Sequence, residues 1–330
     1  MTSEKMNAIV ATGYGQSEVL KFQKVEKPVT KANEVLVKIT AASATRADTM
    51  MLTGKPYISR LFMGMRKPKH NIPGTGFSGE IVELGKGVTQ FKKGDVVFGE
   101  TTLGFSTNAE YVAVPENGVI LKKPENISHS EACTLCDGSL TSLNFLKEIA
   151  QIKPGQKILI NGASGSLGTA AIQLAGYFGA EVTGVCSTKN VGLVRSLGAH
   201  RVIDYTKEDF TQSGVKYDVI YDTIGKSTFQ KCKKALTKNG QYISPVLQFP
   251  LLLQMMWTSI FGKQKAKFAA SGLKKDAELS DLVKELLQIN QEGKLKSIID
   301  RQFPLAKTAE AHRYISAGHK KGNVVIMVQS

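Results

Sequence analysis

Cysteine is scarce in this chain of 330 residues, and its spacing argues against a disulfide scaffold. Disulfide-rich domains are short and dense in cysteine, whereas four cysteines are scattered here at irregular intervals: Cys133, Cys136, Cys186 and Cys232. Cys133 and Cys136 form a C-x-x-C pair, but no second pair completes a metal-binding pattern. Because free cysteine behaves as a small apolar residue, we expect this pair to be buried in a helix.

Long hydrophobic runs are also missing. No segment reaches the roughly 20 apolar residues that span a bilayer, and the first residues lack the charged-then-apolar order of a secretory signal, so a cytoplasmic protein is expected. Residues 246–261 (VLQFPLLLQMMWTSIF) are nevertheless strongly apolar, contain the only tryptophan, Trp257, and precede Lys263, Lys265 and Lys267. We expect a helix that covers a cleft or a dimer contact; the alternative is weak association with a membrane surface.

Acidic residues are too few to balance the basic ones, which leaves a net charge of +15. The excess is spread along the chain, with +5 over residues 1–127, +7 over 128–278 and +3 over 279–330. A nucleic-acid groove would concentrate positive charge on one face. The spread instead predicts a solvated basic surface that suits a polyanionic cofactor, and no specific nucleic-acid partner.

The most informative feature that is present is a glycine-rich turn between an apolar run and a helical pattern, KILINGASGSLG at residues 157–168. Gly165 and Gly168 would let backbone and helix approach a pyrophosphate, whose charge the N–H groups that open the helix would face. Ala163 stands where the dinucleotide-binding pattern usually begins with glycine. The predicted cofactor contacts in this turn are Gly162, Ala163, Ser164, Gly165, Ser166, Leu167 and Gly168.

Strand and helix patterns alternate around this turn. Strands joined by helical crossovers form a parallel sheet with right-handed connections, so the prediction is an α/β fold with a doubly wound parallel sheet of the Rossmann type. The predicted strands are 157–160, 181–185, 201–205, 217–221 and 241–245, and the predicted helices are 169–177, 191–197 and 229–236.

The end of the second strand indicates which dinucleotide binds. NAD-preferring sites usually offer a carboxylate about 20 residues beyond the glycines, and no Asp or Glu occurs between residues 182 and 203. Ser187, Thr188 and Lys189 stand there instead, offering hydrogen bonds and one cation to a 2′-phosphate and repelling nothing, and Tyr205 is a further candidate for contact with the adenine or the phosphate. NADPH is therefore the predicted cofactor; the alternative for Lys189 is a solvated loop lysine.

Before residue 128 the pattern of apolar and polar residues differs from that of the later sequence. Short apolar or alternating runs at 35–40, 78–82, 96–98, 109–114 and 119–121 are separated by turns that contain Gly, Asp or Pro, which predicts a mostly β domain. A last strand at 324–328 has no crossover after it and is expected to return to that domain. The predicted domains are residues 1–127 with 279–330, and residues 128–278 for the dinucleotide.

Four stretches carry a resemblance to a known family: IPGTGFSGEIVELGKGVTQFKKGDVVFG (72–99), the glycine turn, SLGAHRVIDYTKEDF (196–210) and GHKKGNVVIMV (318–328). Over essentially its full length the chain resembles the medium-chain dehydrogenase/reductase superfamily, and within it the zinc-independent quinone oxidoreductase branch. The resemblance implies a GroES-like β domain beside the Rossmann domain, and a homodimer. It also implies that Thr141, Gly322 and Asn323 contact the cofactor.

The resemblance allows the metal question to be asked position by position. Zinc-bearing members place cysteine, histidine and a cysteine or acidic ligand where this chain has Thr45, Thr75 and Asp137. Two threonines and one carboxylate make a poor zinc site, and residues 100–110, where related alcohol dehydrogenases keep a four-cysteine lobe, contain no cysteine. No metal is expected.

Without a Lewis acid to polarise an alcohol oxygen, the resemblance implies hydride transfer from NADPH to a quinone or an α,β-unsaturated carbonyl, followed by protonation. Thr45, Asp48, Tyr57 and Asp137 are the candidate catalytic residues. A partly buried Asp137 with a raised pKa could donate a proton; the alternative is that it caps a helix that starts near Ser139. Asp48 is expected to order a loop or helix start, and Tyr57 to line the pocket or donate a proton.

Two other functions stay open. An enoyl-thioester reductase shares the hydride chemistry but needs a channel for a long pantetheine arm. An NADPH-bound nucleic-acid-binding protein with little catalytic output is the third hypothesis, and the spread of positive charge argues against it.

Overall fold

The computed structural model describes residues 4–55, 57 and 60–329, and the chain divides into two compact units. The β unit consists of Met1–Asp137, Gly272–Lys284 and Ser297–Ser330, and the α/β unit consists of Gly138–Ser271 and Glu285–Lys296. The domain bounds expected from the sequence, 127/128 and 278/279, stay a prediction.

The strands are, in chain order, β1 (Lys5–Ala11), β2 (Leu20–Glu26), β3 (Glu34–Ala44), β4 (Gly76–Leu84), β5 (Val96–Glu100), β6 (Tyr111–Pro115), β7 (Val119–Lys122), β8 (Lys157–Asn161), β9 (Glu181–Cys186), β10 (Arg201–Asp204), β11 (Tyr217–Asp222), β12 (Leu236–Ser244), β13 (Lys265–Phe268), β14 (Ile299–Pro304) and β15 (Asn323–Met327). The α-helices are α1 (Arg46–Thr53), α2 (Arg60–Met63), α3 (His129–Thr134), α4 (Leu140–Leu143), α5 (Ser166–Tyr177), α6 (Val191–Ser196), α7 (Phe229–Cys232), α8 (Phe249–Ile260), α9 (Asp276–Gln291) and α10 (Thr308–Ser316).

A six-stranded parallel sheet forms the centre of the α/β unit, with the strand order β10-β9-β8-β11-β12-β13. The central strands are apolar on both faces, as a sheet covered by helices on each side requires; four of the five residues of β8 are buried. The predicted doubly wound Rossmann-type sheet is confirmed. The helix predicted at 229–236 is shorter, because Leu236 already begins β12.

A seven-stranded sheet of the order β14-β15-β3-β4-β5-β7, with β6 paired to β3, forms the main layer of the β unit. The final strand β15 pairs antiparallel with β3, Val325 opposite Ser43, so the expected return of the chain to this unit is confirmed. The hairpin of β1 and β2 was not expected from the sequence. Most of β2 is exposed and polar, so it lacks the apolar alternation that indicates a half-buried strand.

Asp222, at the end of β11, organises the carboxyl edge of the parallel sheet. Its fully buried carboxylate accepts hydrogen bonds from the Asn161 side-chain amide (3.0 Å), the Ser227 N–H (2.8 Å) and the Tyr242 hydroxyl (2.9 Å). A buried carboxylate costs free energy unless such donors surround it. These bonds connect the ends of β8, β11 and β12.

Replacing Tyr242 with phenylalanine tests this network. Tyr242→Phe deletes one donor to a buried carboxylate, and we expect the free energy of unfolding in urea to fall by about 1–2 kcal/mol. Tyr217→Phe is the matched control, because the Tyr217 hydroxyl is buried without a hydrogen-bond partner in the described part of the chain. The control should change stability by less than about 0.5 kcal/mol; equal losses in both variants would contradict the role of Asp222.

Candidate functional site

Steric constraints at two glycines shape the turn after β8. Gly162 has a φ of +81°, and a Cβ there would lie 2.6 Å from the Thr223 Oγ1 atom and 2.6 Å from the Ile224 Cγ2 atom. A Cβ on Gly168 would overlap the carbonyl oxygen of Gly162. Both positions therefore need glycine, and helix α5 approaches the turn more closely than any side chain would allow.

The space in front of helix α5 is open. Gly165 is the N-cap residue and provides no side-chain cap, and a Cβ on it would meet only the Gly162 carbonyl oxygen, at 3.6 Å. The first N–H groups of a helix lack partners within the helix and favour negative charge. Ala163, which replaces the usual first glycine, is fully buried. The turn therefore provides a cradle for an anionic group in front of α5.

The segment after β9 is tied to the glycine turn through Asn190. The side-chain amide of Asn190 donates to the Ser164 Oγ atom (2.9 Å) and to the Ser187 Oγ atom (3.4 Å). Lys189 is exposed between these contacts. The structure thus brings Ser164, Ser187 and Lys189, all expected from the sequence, to the same edge of the α/β unit.

Asp204 corrects one expectation about this edge. The parallel register sets Asp204, at the end of β10, beside Cys186 at the end of β9. The Thr188 hydroxyl donates to Asp204 Oδ2 (2.6 Å), and hydrogen bonds from Thr188 and Thr206 lower the pKa of the Asp204 carboxyl. A carboxylate therefore stands here after all, and the expectation that nothing would repel a 2′-phosphate is wrong. The Thr188 hydroxyl donates its hydrogen bond to this carboxylate and not to a phosphate.

In the β unit, Thr45 and Asp48 form a capping box at the start of α1. The Thr45 N–H donates to Asp48 Oδ2 (2.7 Å), and the Asp48 N–H donates to Thr45 Oγ1 (3.2 Å). The other oxygen of Asp48 accepts the Gly74 N–H at 2.9 Å. Asp48 is fully buried, and burial raises its pKa to about 6. As expected, it orders a helix start, and it also fixes the turn that contains Thr75.

Three other carboxyl groups of the β unit affect the ionisation of Glu100. Glu100, at the end of β5, has a pKa raised to about 8, first by burial and then by the negative charges of Asp137, Asp48 and Asp276. Burial also raises the pKa of Asp137 to about 6, against the opposing effect of Lys320. The protonated form of Glu100 is therefore favoured near neutral pH, because a further negative charge among these carboxyl groups is costly.

Asp137 lies within a π-helical segment, Leu135–Ser139, between α3 and α4. The N-cap residue of α3 is Ser128, and that of α4 is Ser139. The alternative that Asp137 caps the helix is therefore wrong, and its half-buried carboxyl is left for other chemistry.

The remaining predicted residues have varied surroundings. Tyr57 is 65% exposed and lies 4.9 Å from the Arg60 guanidinium, measured to the ring centroid. Thr141, on α4, is half-buried. Gly322 has a φ of +68°, and Asn323 donates from its backbone and its side chain to the Ile298 carbonyl oxygen. Gly322 and Asn323 thus anchor the start of β15 in the β unit.

The metal positions hold weak donors. Thr45 is occupied by the capping box, Thr75 is buried, and burial raises the pKa of the Cys133 and Cys136 thiols. Both cysteines are buried in or beside α3 as expected. Within residues 4–55, 57 and 60–329, no three His, Cys, Asp or Glu side chains are grouped so that they could hold a metal ion.

Comparison with known proteins places these features in a family. Residues 31–125 match the family described as the alcohol dehydrogenase GroES-like domain, and residues 197–326 match the family described as zinc-binding dehydrogenase. The chain is 32% identical, over 99% of its length and 99% of the relative, to a chloroplast envelope quinone oxidoreductase homolog of Arabidopsis thaliana. It belongs to the quinone oxidoreductase-like branch of the medium-chain dehydrogenase/reductase superfamily.

Other relatives agree with this membership. The NADPH-dependent alkenal/one oxidoreductase of Arabidopsis thaliana is 30% identical over 98% of this chain and 80% of that protein. The structure of the quinone oxidoreductase from Coxiella burnetii has a TM-score of 0.88 at 28% identity and covers 99% of this chain and 100% of that one. This member of the superfamily is an oxidoreductase, with the GroES-like and Rossmann-type parts that the sequence predicted.

Sequence reasoning missed Glu100, Asp204 and Lys320 as candidate site residues of this superfamily member. Glu100 directly follows the apolar run VVFG, and Lys320 belongs to the closing GHKKGNVV segment. A charged residue beside an apolar strand was the available signal. Asp204 lies one residue beyond the acid-free interval. The register between β9 and β10 would have revealed it.

The raised pKa of Glu100 predicts how stability depends on pH. Between the ordinary pKa of 4.5 and the folded value of about 8, the unfolded chain ionises Glu100 more readily than the folded chain, so the free energy of unfolding falls as pH rises. Glu100→Gln removes this loss. We expect the variant to be more stable than the unchanged protein by at least about 1 kcal/mol near pH 8.5 and to show no such gain near pH 4.5, as measured by urea unfolding.

Glu80→Gln is the matched control, because Glu80 lies exposed on β4. It should not reproduce the pH-dependent gain. Equal stabilisation by Glu100→Gln at both pH values would show that the carboxyl of Glu100 is not held in its protonated form.

Proposed function

We propose that this protein is a zinc-independent, NADPH-dependent reductase that transfers hydride to a quinone or to an α,β-unsaturated carbonyl. The observation that carries the proposal is the group of interacting carboxyls, Asp48, Glu100 and Asp137, in the unit where zinc-bearing relatives would supply metal ligands. The relatives named as quinone and alkenal/one oxidoreductases support the same substrate classes.

The α/β unit offers the cofactor its phosphate contacts. In the proposal the pyrophosphate lies against the turn of Gly162 to Gly168, because a helix start without a side-chain cap attracts an anion. Lys189 and Tyr205 are both exposed at the adjoining strand ends and provide a cation and a ring for the 2′-phosphate and adenine. When bound, NADPH supplies a hydride.

Asp204 reduces the preference for the 2′-phosphate without abolishing it. Its charge is compensated by the Thr188 and Thr206 hydroxyls and by Lys207, whose Nζ atom lies 3.9 Å away. Lys189 is then the cation available to a phosphate. NADPH remains the proposed cofactor on this balance of charge.

Zinc does not fit the donor atoms that the β unit provides. At the three positions where zinc-bearing members of the family have their ligands, Thr45 and Thr75 offer only neutral hydroxyls and Asp137 offers a carboxyl. Zinc takes thiolate, imidazole and carboxylate ligands, so only one of these three positions meets that requirement. The proposed reaction therefore uses an acceptor that needs no metal to polarise it.

In the proposal, carboxyl groups of the β unit hold a proton where zinc-bearing relatives hold a metal ion. Glu100 is protonated at neutral pH, and the pKa of Asp137, about 6, is close to the range in which a general acid works well. Lys320, whose own pKa burial lowers, favours the charged form of Asp137 after a proton has left. We assign Asp137 as the proton donor to the reduced acceptor and Glu100 as the carboxyl that keeps a proton nearby.

Two properties complete the proposal. All four cysteines are free thiols in the structure, as is usual in the reducing cytoplasm, and we propose that compartment. No helix among the described residues is long and apolar enough to cross a membrane. A homodimer, implied by the resemblance, stays a prediction.

The cofactor preference depends on Lys189. Lys189→Ala should reduce the ratio of kcat/KM with NADPH to that with NADH by about tenfold or more, because it removes the cation from the 2′-phosphate. Asp204→Asn should raise the same ratio, since it removes an opposing charge. Lys153→Ala, an exposed lysine that precedes β8 at the opposite edge of the sheet, should leave the ratio unchanged, and full discrimination in Lys189→Ala would refute the phosphate contact.

The reaction itself is tested by following NADPH absorbance with a quinone, an alkenal and an enoyl thioester, after dialysis against a chelator. We expect turnover with the quinone or the alkenal, unaffected by the chelator, and a rate with Asp137→Asn at least about tenfold lower. Preference for the thioester would favour the enoyl-thioester reductase. Inactivity with every acceptor, or stoichiometric zinc that activity requires, would overturn the proposal.

A further inference from the structure

A cavity lies in the α/β unit at a distance from the glycine turn. It has a volume of about 630 Å³ and is lined by the second half of α5, by the residues that end α6 and by residues 293–296. Helix α5 begins at the glycine turn, and its last residue, Tyr177, lies about 17 Å further along the helix axis. The volume suits a small molecule, and the cavity is separate from the proposed cofactor contacts.

Apolar side chains line part of this cavity. Ile172 is fully buried behind its surface, and Leu197 is half-buried. The Tyr177 ring is 39% exposed. The negative charge of Glu292, together with a hydrogen bond between the two side chains, raises the pKa of the Tyr177 hydroxyl. The phenol therefore stays neutral and offers a flat apolar surface to a ligand.

Two lysines, Lys294 and Lys296, supply positive charge to the same cavity. Both are exposed, and in the described part of the chain neither ammonium group forms an ion pair or a hydrogen bond. The Gln173 side chain accepts the Lys296 N–H at 2.9 Å and donates to the Lys296 carbonyl oxygen at 3.1 Å. The segment that carries the two ammonium groups is therefore held against α5.

The ends of α5 and α6 do not need these lysines. Lysine often complements the negative end of a helix, where carbonyl groups lack partners. Here the carbonyl oxygens of residues 174–176 accept the N–H groups of residues 178–180, and those of residues 193–195 accept the N–H groups of residues 197–199. The two ammonium groups are therefore available to a ligand.

Gly176 also lines the cavity, and the packing of α5 does not explain it. It lies inside the helix, and a Cβ there would meet no heavy atom within 4 Å. Glycine in a helix costs about 0.5–1 kcal/mol relative to alanine. Glycine also allows the backbone to approach a ligand closely. This position therefore indicates that the space in front of it is used.

We propose that this cavity binds a small organic carboxylate with a flat apolar body. The body lies against Ile172 and the Tyr177 ring. The carboxylate lies between the ammonium groups of Lys294 and Lys296, which have the opposite charge. A doubly charged phosphate fits less well, because Glu292 and the ends of α5 and α6 place negative charge nearby.

Calorimetry on the full chain with 2-naphthoate tests the site, and oxidised NADP is present in excess so that the glycine turn is not available to the probe. We expect saturable binding with a dissociation constant below about 1 mM. The neutral 2-naphthamide, which has the same body, should bind at least about tenfold more weakly. No binding of 2-naphthoate, or equal binding of the amide, would overturn the proposal.

Gly176→Leu fills the cavity and should lower the affinity for 2-naphthoate by at least about tenfold. The midpoint of its urea unfolding should not fall, because leucine favours a helix more than glycine does, so a loss of binding would not reflect unfolding. Gly13→Leu, in the β unit, is the matched control, since a Cβ there also meets no heavy atom within 4 Å. Unchanged affinity in Gly176→Leu would show that the probe binds elsewhere.

A second pair of variants isolates the charge. Lys294→Gln/Lys296→Gln should weaken the binding of 2-naphthoate by about tenfold and leave the binding of 2-naphthamide unchanged. Lys86→Gln/Lys93→Gln, which changes two exposed lysines of the β unit, should alter neither. Equal losses in both double variants would mean that only the net charge of the protein matters, against the proposed site.

Discussion

The close approach of Gly168 to the Gly162 carbonyl oxygen is the constraint on which the α/β unit depends. No side chain fits between them, so α5 begins directly against the carboxyl end of β8 and presents its N-terminus at that edge. The adjoining strand ends are then held at the same edge by buried polar contacts. Asn190 connects Ser164 to the segment after β9, and Asp222 connects β8, β11 and β12. The glycines thus determine where an anion can bind.

A different constraint governs the β unit, where several carboxyl groups are buried or half-buried close to one another. Asp48 satisfies both carboxylate oxygens with backbone N–H donors, which limits the cost of its burial. No hydrogen bond lowers the pKa of Glu100 among the described residues. Its pKa rises further because the negative charges of Asp137 and Asp48 repel an ionised Glu100. The protonated form of Glu100 therefore has the lower free energy. The same crowding that would destabilise an ionised cluster favours the protonated form of Glu100 at neutral pH.

Features that depend on local sequence were predictable, and features that depend on register or burial were not. The glycine turn and the alternating strands of the α/β unit follow from periodicity and chain order, and the structure contains both. Asp204 was missed because its role arises from its pairing with Cys186 on a neighbouring strand. Glu100 was missed because the burial of a charged side chain depends on what packs around it. Strand β2 could not be predicted, because its residues do not alternate between an apolar and a polar face.

The local distribution of charge could not be predicted from totals over long sections either. Counted over large sections, the excess of +15 looks even, because acidic residues elsewhere in section 128–278 offset the lysines of residues 223–271. Hydrogen bonds of Gln248 and Lys265 bring part of that segment, which contains neither aspartate nor glutamate, to the two ends of α8.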